Sequence, residues 1–287
     1  MTAIDAPLPA RSRSRAWKKL RANRPALVGA VVVAVFVLLA VAAPILPIAS
    51  PTATDWGAIR QPPSAAHWLG TDEIGRDILA RMIWGARASL MAGVVSVAIA
   101  VAIGVPLGLV AGYFGGWTDS VIARATDALL AMPFLILAIA LAAFLGPSLG
   151  NAMIAIGLSA VPIFIRLTRG QVLSVRTEDY VEGARAIGLG HVAIMAAYIL
   201  PNVIPPILVQ STLTVATAII AEASLSFLGL GQQPPAPSWG SMLNTAKNFM
   251  SQAPWMAVWP GMAIFLVVMG FNLMGDGLRD ALDPREH

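Results

Sequence analysis

Glu222 stands alone in an apolar run from Ile207 to Leu230. A carboxylate in such a run is costly enough to call for a function or a dedicated set of partners. At about 100° per residue, Gln210, Thr214, Thr217 and Ser224 share one face of the helix this run would form, and Glu222 lies beside that stripe with Ser211. Two readings stay open. Either the helix lines a water-accessible path in which Glu222 meets a cationic group, or Glu222 bonds a neighbouring helix or loop and holds a bundle together. A second candidate is Gly146-Pro147-Ser148-Leu149-Gly150, which fits the G-x-S-x-G nucleophile elbow. An elbow needs a strand, a turn and a helix, and its serine needs a general base. Here the pentapeptide joins two apolar runs, and His67, His191 and His287 all fall outside such runs. It reads as a tight turn, not a hydrolase site.

Other chemistries are missing their residues. There is no G-x-x-x-x-G-K-[ST] loop, and none of the three lysines sits in a glycine-rich turn, so the chain does not cradle nucleotide phosphates in the usual way. No H-E-x-x-H and no His/Asp/Glu set with metal spacing occurs, and cysteine is absent, so metal and thiol sites are not expected.

The elements that must position these residues are membrane helices. Of 287 residues, 57% are hydrophobic and 12% charged, with a mean hydropathy of +0.74. A soluble domain carries about 25% charged residues, so lipid is the expected solvent. Seven of the nineteen basic residues fall between Arg11 and Arg24, directly before the first apolar run. That places the net charge of +4 on the flank of a membrane segment and excludes a nucleic-acid surface. The first run, Leu27–Ile48, has 22 residues, too long for a signal h-region and read as an uncleaved span. Five more runs approach the roughly 20 residues a span needs: Ala88–Tyr113, Ala128–Gly146, Pro147–Ile165, Asn202–Leu230 and Met256–Gly275. Six spans put both termini on one side. Fourteen basic residues then lie on the side of the N-terminus and five opposite, which orients both termini to the cytoplasm.

The expected organisation is a basic cytosolic segment 1–26, a first span 27–48, an extracytoplasmic segment 49–87, a five-helix core 88–275 and a cytosolic tail 276–287. The core includes a cytosolic loop 166–201 and an extracytoplasmic loop 231–255. In TDEIGRDILARMIWGARASL, Ile74, Ile78, Met82, Ala86 and Leu90 form one helix face. Thr71 is the expected N-cap, with Asp72–Arg76 and Asp77–Arg81 as i,i+4 pairs, in a helix lying on the membrane surface. The loop from Gly229 to Trp255 reads as irregular, its glycines and prolines breaking any element.

The longest cytosolic loop holds YVEGARAIGLGHVAIMAAYILP, whose apolar part Val192–Leu200 is too short to span. Glu182-Gly183-Ala184, then Gly188, then Leu200-Pro201 resemble the EAA loop of ABC-importer permeases: Glu-Ala-Ala, three residues, Gly, nine residues, Ile-x-Leu-Pro. Gly183 stands where Ala is usual and Tyr198 where Ile is usual. HWLGTDEIGRDILARMIWGARASL and EASLSFLGLGQQPPAPSWGSML resemble the C-type permease of dipeptide and oligopeptide importers, so the resemblance runs from about Arg15 to Asp283.

The resemblance implies the type I ABC importer permease fold, all-α with six transmembrane helices, in a bacterial inner membrane. It implies a non-catalytic subunit that forms a peptide path with a homologous second permease. Glu182, Gly183, Ala184, Gly188 and Pro201 would form a coupling helix seated on one or two cytosolic ATPase subunits. Those subunits hold ATP and magnesium, and this chain holds no cofactor. Thr177 is the expected N-cap of that helix, Ala184, Ile187 and Leu189 its apolar surface, and Pro201 the point of re-entry into the membrane. Gln210, Thr214, Thr217 and Glu222 become candidates for the translocation path, and Ser238, Trp239 and Gly240 candidates for contact with an extracytoplasmic solute-binding protein. Relatives carrying nickel or glutathione are the alternative, and a proton-coupled carrier using Glu222 is the remote one.

Overall fold

The computed structural model of the chain describes Lys19 and residues 21–282. The basic positions Arg11, Arg13, Arg15, Lys18 and Arg285, with the tail from Asp283 and His287, lie outside the described residues. Among the described residues all regular elements are helical, apart from one isolated bridge between Thr71 and Asp77.

Asn23 caps the first helix, α1 (Arg24–Ala42), by accepting the Ala26 N–H at 3.1 Å. The helix stops before Pro44 and Pro47, so the apolar run to Ile48 outlasts it. The second helix, α2 (Ile78–Phe114), has 37 residues and begins at Asp77, whose Oδ1 accepts the Ala80 N–H at 2.9 Å. This corrects the expected surface helix capped by Thr71. Asp72 accepts the Ile74 and Arg76 N–H groups at 3.1 and 2.9 Å, a side-chain bonding pattern that competes with a helical ladder and holds residues 72–76 in a turn. The Asp72–Arg76 pair forms, at 2.6 Å, but Asp77 pairs with His67 at 2.9 Å and Arg81 with Asp72 at 3.3 Å. Asp72, Arg76 and Arg81 are buried, so this face is covered by protein.

The expected straight third span is broken. Helices α3 (Gly116–Leu130) and α4 (Phe134–Leu145) meet at 90°. Pro133 lacks an N–H and disfavours a helical Met132 before it, which accounts for the break. With 12 residues, α4 is roughly 18 Å long, short of a hydrocarbon core of about 30 Å. Ser148 caps α5 (Leu149–Val175) by accepting the Asn151 N–H at 3.0 Å, and α5 runs past the expected end at Ile165. Then follow α6 (Asp179–Ala186), the single turn α7 (His191–Ile194), a π-helical turn (Met195–Ile199) and α8 (Leu200–Phe227). Last come α9 (Trp239–Ala246) and α10 (Trp255–Leu282). Among the described residues, five helical stretches are long and apolar enough to cross a membrane, and six if α3 and α4 are one bent span.

His191 to Phe227 is one continuous helical stretch, which corrects the expected restart at Asn202. Pro201 brings no N–H to an i→i−4 ladder. Just before it the ladder widens, and Leu200 N–H bonds the Met195 carbonyl five residues back.

The most extensive helix contact joins α2 to α5. Gly104, Gly108 and Gly112 recur every fourth residue on α2, and a Cβ on any of them would lie 2.7 Å from an atom of Phe164, Ile165 and Thr168, or Val172 respectively. Small residues at that spacing let two helix backbones approach where lipid offers no hydrophobic drive for packing. Gly108→Val is therefore expected to destabilise the chain by about 1–3 kcal/mol through overpacking. The check is a lowered melting temperature of the detergent-solubilised protein by size-exclusion fluorescence. An unchanged melting temperature would show that the two helices can separate freely there.

Candidate functional site

At one end of the bundle the chain leaves α5, forms α6 and returns through α7 into α8. Glu178, not Thr177, occupies the N-cap of α6, while the Thr177 hydroxyl donates to the Ser174 carbonyl at 2.9 Å. Asp179 and Glu182 lie in the first turn, where carboxylates favour the helix dipole. Val181 and Ala184 are buried and seat α6 on its own chain, which corrects the expectation that Ala184 faces a partner. The outward surface instead carries Glu182, Gly183 and Arg185, with Ile187 75% exposed beyond the helix end. Glu182 makes no side-chain bond among the described residues. Gly183 stays helical, and a Cβ there would touch nothing within 4 Å.

The helix ends in a Schellman motif. Leu189 N–H bonds the Ala184 carbonyl at 3.2 Å, Gly188 N–H bonds the Arg185 carbonyl at 3.0 Å, and Gly188 takes φ +80°. The backbone conformation, and no close approach among the described residues, is what requires glycine there. Three contacts hold this end against the end of α2. Arg176 donates to the Gly112 carbonyl at 2.9 Å, Tyr113 Oη and His191 Nδ1 are hydrogen-bonded at 2.9 Å, and the Arg185 guanidinium lies 5.3 Å over the Tyr113 ring. Arg169 on α5 grips Asp119 on α3 through both carboxylate oxygens. None of these partners is visible in the spacing of the loop itself.

Further along α8, Gln210 donates to the Thr214 hydroxyl at 3.1 Å, and Thr214 and Thr217 return bonds to carbonyls of the preceding turn. Thr214 is buried, whereas Thr217 is exposed and Gln210 partly so. Glu222 is fully enclosed. It accepts the Ser89 hydroxyl on Oε2 at 2.9 Å and the Ser226 hydroxyl on Oε1 at 2.7 Å. Each serine oxygen in turn accepts a main-chain N–H, from Trp239 at 3.4 Å and from Gln232 at 3.0 Å. Two parallel chains, N–H to hydroxyl to carboxyl oxygen, thus join α2, α8, the following loop and α9. This is the arrangement of the bundle-holding reading, and the bonds to the carboxyl come from hydroxyls. Ser226 lies four residues after Glu222 and was legible as a helical neighbour; Ser89 is 133 residues away and was not.

The opposite end corrects two expectations. The segment after α8 is not wholly irregular, since Ser238 and Ser241 form a capping box that starts α9. Ser238, Trp239 and Gly240 are buried, so their side chains offer no surface to a partner. Trp239 packs edge-on to Phe36 of α1, with ring centroids 5.5 Å apart, and donates Nε1–H to the Met82 carbonyl at 3.1 Å. A Cβ on Gly240 would lie 2.5 Å from the Ala223 carbonyl. Beside them Arg81 reaches the Pro51 carbonyl at 2.9 Å, and Arg76 bonds Asp72 and Glu73. Burial, reinforced by Asp72, raises the pKa of Glu73. Exposed residues at this end include Gln233–Ala236, Trp56 and Trp68.

Comparison with known proteins sets this geometry in a family. Residues 104–287 match the family model of the binding-protein-dependent transport system inner membrane component. The chain belongs to that family. A second model, the N-terminal transmembrane domain of oligopeptide transport permease C, matches residues 13–63. The dipeptide transport system permease protein DppC of Alkalihalophilus pseudofirmus is 49% identical over 270 residues, 94% of this chain and 89% of that one. The glutathione transport system permease protein GsiD of Escherichia coli is 46% identical over the same shares. Two crystal forms of the MetNI methionine ABC transporter share the fold, with TM-scores of 0.56 and 0.58 at 21% and 20% identity, each covering 72% of this chain and 97% or 98% of theirs. The chain is thus a multi-pass membrane permease subunit of the ABC importer type, and as a permease subunit it is non-catalytic.

Proposed function

We propose that this chain is one of two permease subunits of an ATP-driven, binding-protein-dependent importer of short peptides in a bacterial inner membrane. The observation that carries the peptide reading is the identity with a dipeptide permease over nearly the whole chain. Both termini and α6 face the cytoplasm, which the basic flank before α1 supports. A homologous permease completes the path. Glu182, Gly183, Ala184, Gly188 and Pro201 form the frame through which cytosolic ATPases, holding ATP and magnesium, act on this chain. Outward-facing Glu182 and Ile187 are its contact groups, while Ala184 seats it. The two helices flanking α6 are α5 and α8, so a displacement of α6 tilts both. ATP need only favour one ATPase arrangement to shift the permease between its inward- and outward-facing states.

Gln210 and Thr217 carry the polar stripe of α8 along the path, with Thr214 buried behind them and bonded to Gln210, and Glu222 anchors the far end of that helix. The binding protein meets the exposed Gln233–Ala236 segment with Trp56 and Trp68, in place of the buried Ser238–Gly240. A second reading, glutathione as solute, is favoured by the 46% identical relatives.

The test is uptake into proteoliposomes by the full complex with its binding protein, offered labelled dipeptides and labelled glutathione. Dipeptide uptake that requires ATP is expected. Glutathione uptake alone would establish the second reading. Uptake that persists without ATP and collapses with an uncoupler would overturn both.

A further inference from the structure

A cavity of about 470 Å³ opens between α5, α8 and α10, near the α6 end. Its walls include Gln171 of α5, Pro205, Pro206 and Gln210 of α8, and Arg279 of α10. That size suits a small ligand. Among the described residues, neither the Gln171 amide nor the Arg279 guanidinium bonds another group. Gln210 donates once, to Thr214, and keeps its carbonyl oxygen and a second N–H. The remaining lining is largely apolar, with Leu167, Val209, Leu213 and Leu282.

The cavity therefore borders a guanidinium and two side-chain amides. We propose that it is a peptide subsite: Arg279 takes the C-terminal carboxylate, and Gln171 and Gln210 pair with the backbone amides. This rests on the peptide reading above.

The chemistry matches feature by feature. A guanidinium binds a carboxylate bidentately. A glutamine amide both donates and accepts, as a peptide bond does, so it recognises backbone without reading side chains. The apolar lining tolerates varied side chains. The position also matters: α5 and α8 are the helices joined through α6, so the subsite changes shape when α6 moves. Tight holding in one state and release in the other follows.

The test uses the purified complex without the binding protein, so that only the permease reads the ligand. The probe is a dipeptide carrying a photoreactive benzophenone side chain, as the free acid and as the C-terminal amide. The free acid is expected to label residues 167–213 about tenfold more than the amide, as losing a charge-assisted pair would give. Arg279→Gln should abolish that preference, and Arg279→Lys should restore part of it. Equal labelling by acid and amide, or a preference that survives Arg279→Gln, overturns the subsite. Loss of the second permease from the Arg279→Gln complex also overturns it, since Arg279 then pairs with a partner subunit. Wild-type dipeptide uptake with the binding protein, run in parallel, separates the two levels. If uptake proceeds and labelling does not discriminate, the subsite alone fails; if uptake itself fails, the peptide reading falls and takes the subsite with it.

Discussion

Glu182→Lys is expected to cut ATP-driven uptake at least tenfold while the complex still inserts, assembles and hydrolyses ATP. Glu182 stands on the outer face of α6 with no side-chain partner among the described residues, so its charge is available to another chain. Reversing a charge in an interface tuned for the opposite sign costs several kcal/mol, and about 1.4 kcal/mol already amounts to a factor of ten. Inside this chain the substitution disturbs little, because the residues that seat α6 are Val181 and Ala184. Gly188→Val should act in the same direction by another route. A β-branched residue at φ +80° is strained, and the Schellman turn that aims Ile187 outward would open. The measurement pairs uptake with ATPase activity in proteoliposomes. Normal uptake by either variant would sink the coupling role of α6. Equal losses of uptake and assembly would reduce the segment to a structural loop.

Glu222→Leu is expected to lower the melting temperature of the solubilised chain more than any conservative change elsewhere on α8. It leaves two serine hydroxyls without their acceptor in an enclosed site, at about 1–3 kcal/mol for each unsatisfied group. Glu222→Gln should be milder but not silent. Both carboxyl oxygens act as acceptors, and an amide offers one acceptor and one donor, so one of the two chains must reverse. Its serine already accepts a main-chain N–H, from Trp239 or Gln232, and on accepting the amide N–H as well its own hydroxyl proton loses the acceptor it had. Size-exclusion fluorescence against temperature checks both variants. A Glu222→Leu chain as stable as the parent, with uptake lost, would return Glu222 to the path and remove it from the scaffold.

Much of the candidate coupling site was legible because it is local. Glu182, Gly188 and Pro201 carry their meaning at fixed spacing, and positive φ, a first-turn carboxylate and a missing N–H are properties of single residues. The faces of α6 were less legible. A helix as short as Asp179–Ala186 has too few positions for periodicity to tell its inner from its outer side, so Ala184 was assigned outward and lies inward. Trp239 failed for a related reason. A tryptophan between prolines and serines reads as an exposed loop residue until Phe36 and the Met82 carbonyl, both distant in the chain, are found around it.

The break between α3 and α4 and the start of α2 show the limits of hydropathy. Apolarity counts residues that tolerate lipid, and it passes without notice over Pro133, where the helix turns through 90°. The periodicity from Ile74 to Leu90 was real, yet Asp72 holds its first residues in a turn by side-chain bonds to the backbone. By itself the sequence determined the solvent, the family and the residues of the loop, because apolar length, charge bias and motif spacing are one-dimensional quantities. Only the tertiary structure decided which polar groups are satisfied. Glu222 became an anchor when Ser89 came to it from another helix, and Arg279 a candidate ligand when no described residue did. Burial and hydrogen bonding belong to the whole packed chain, and no window of sequence contains them.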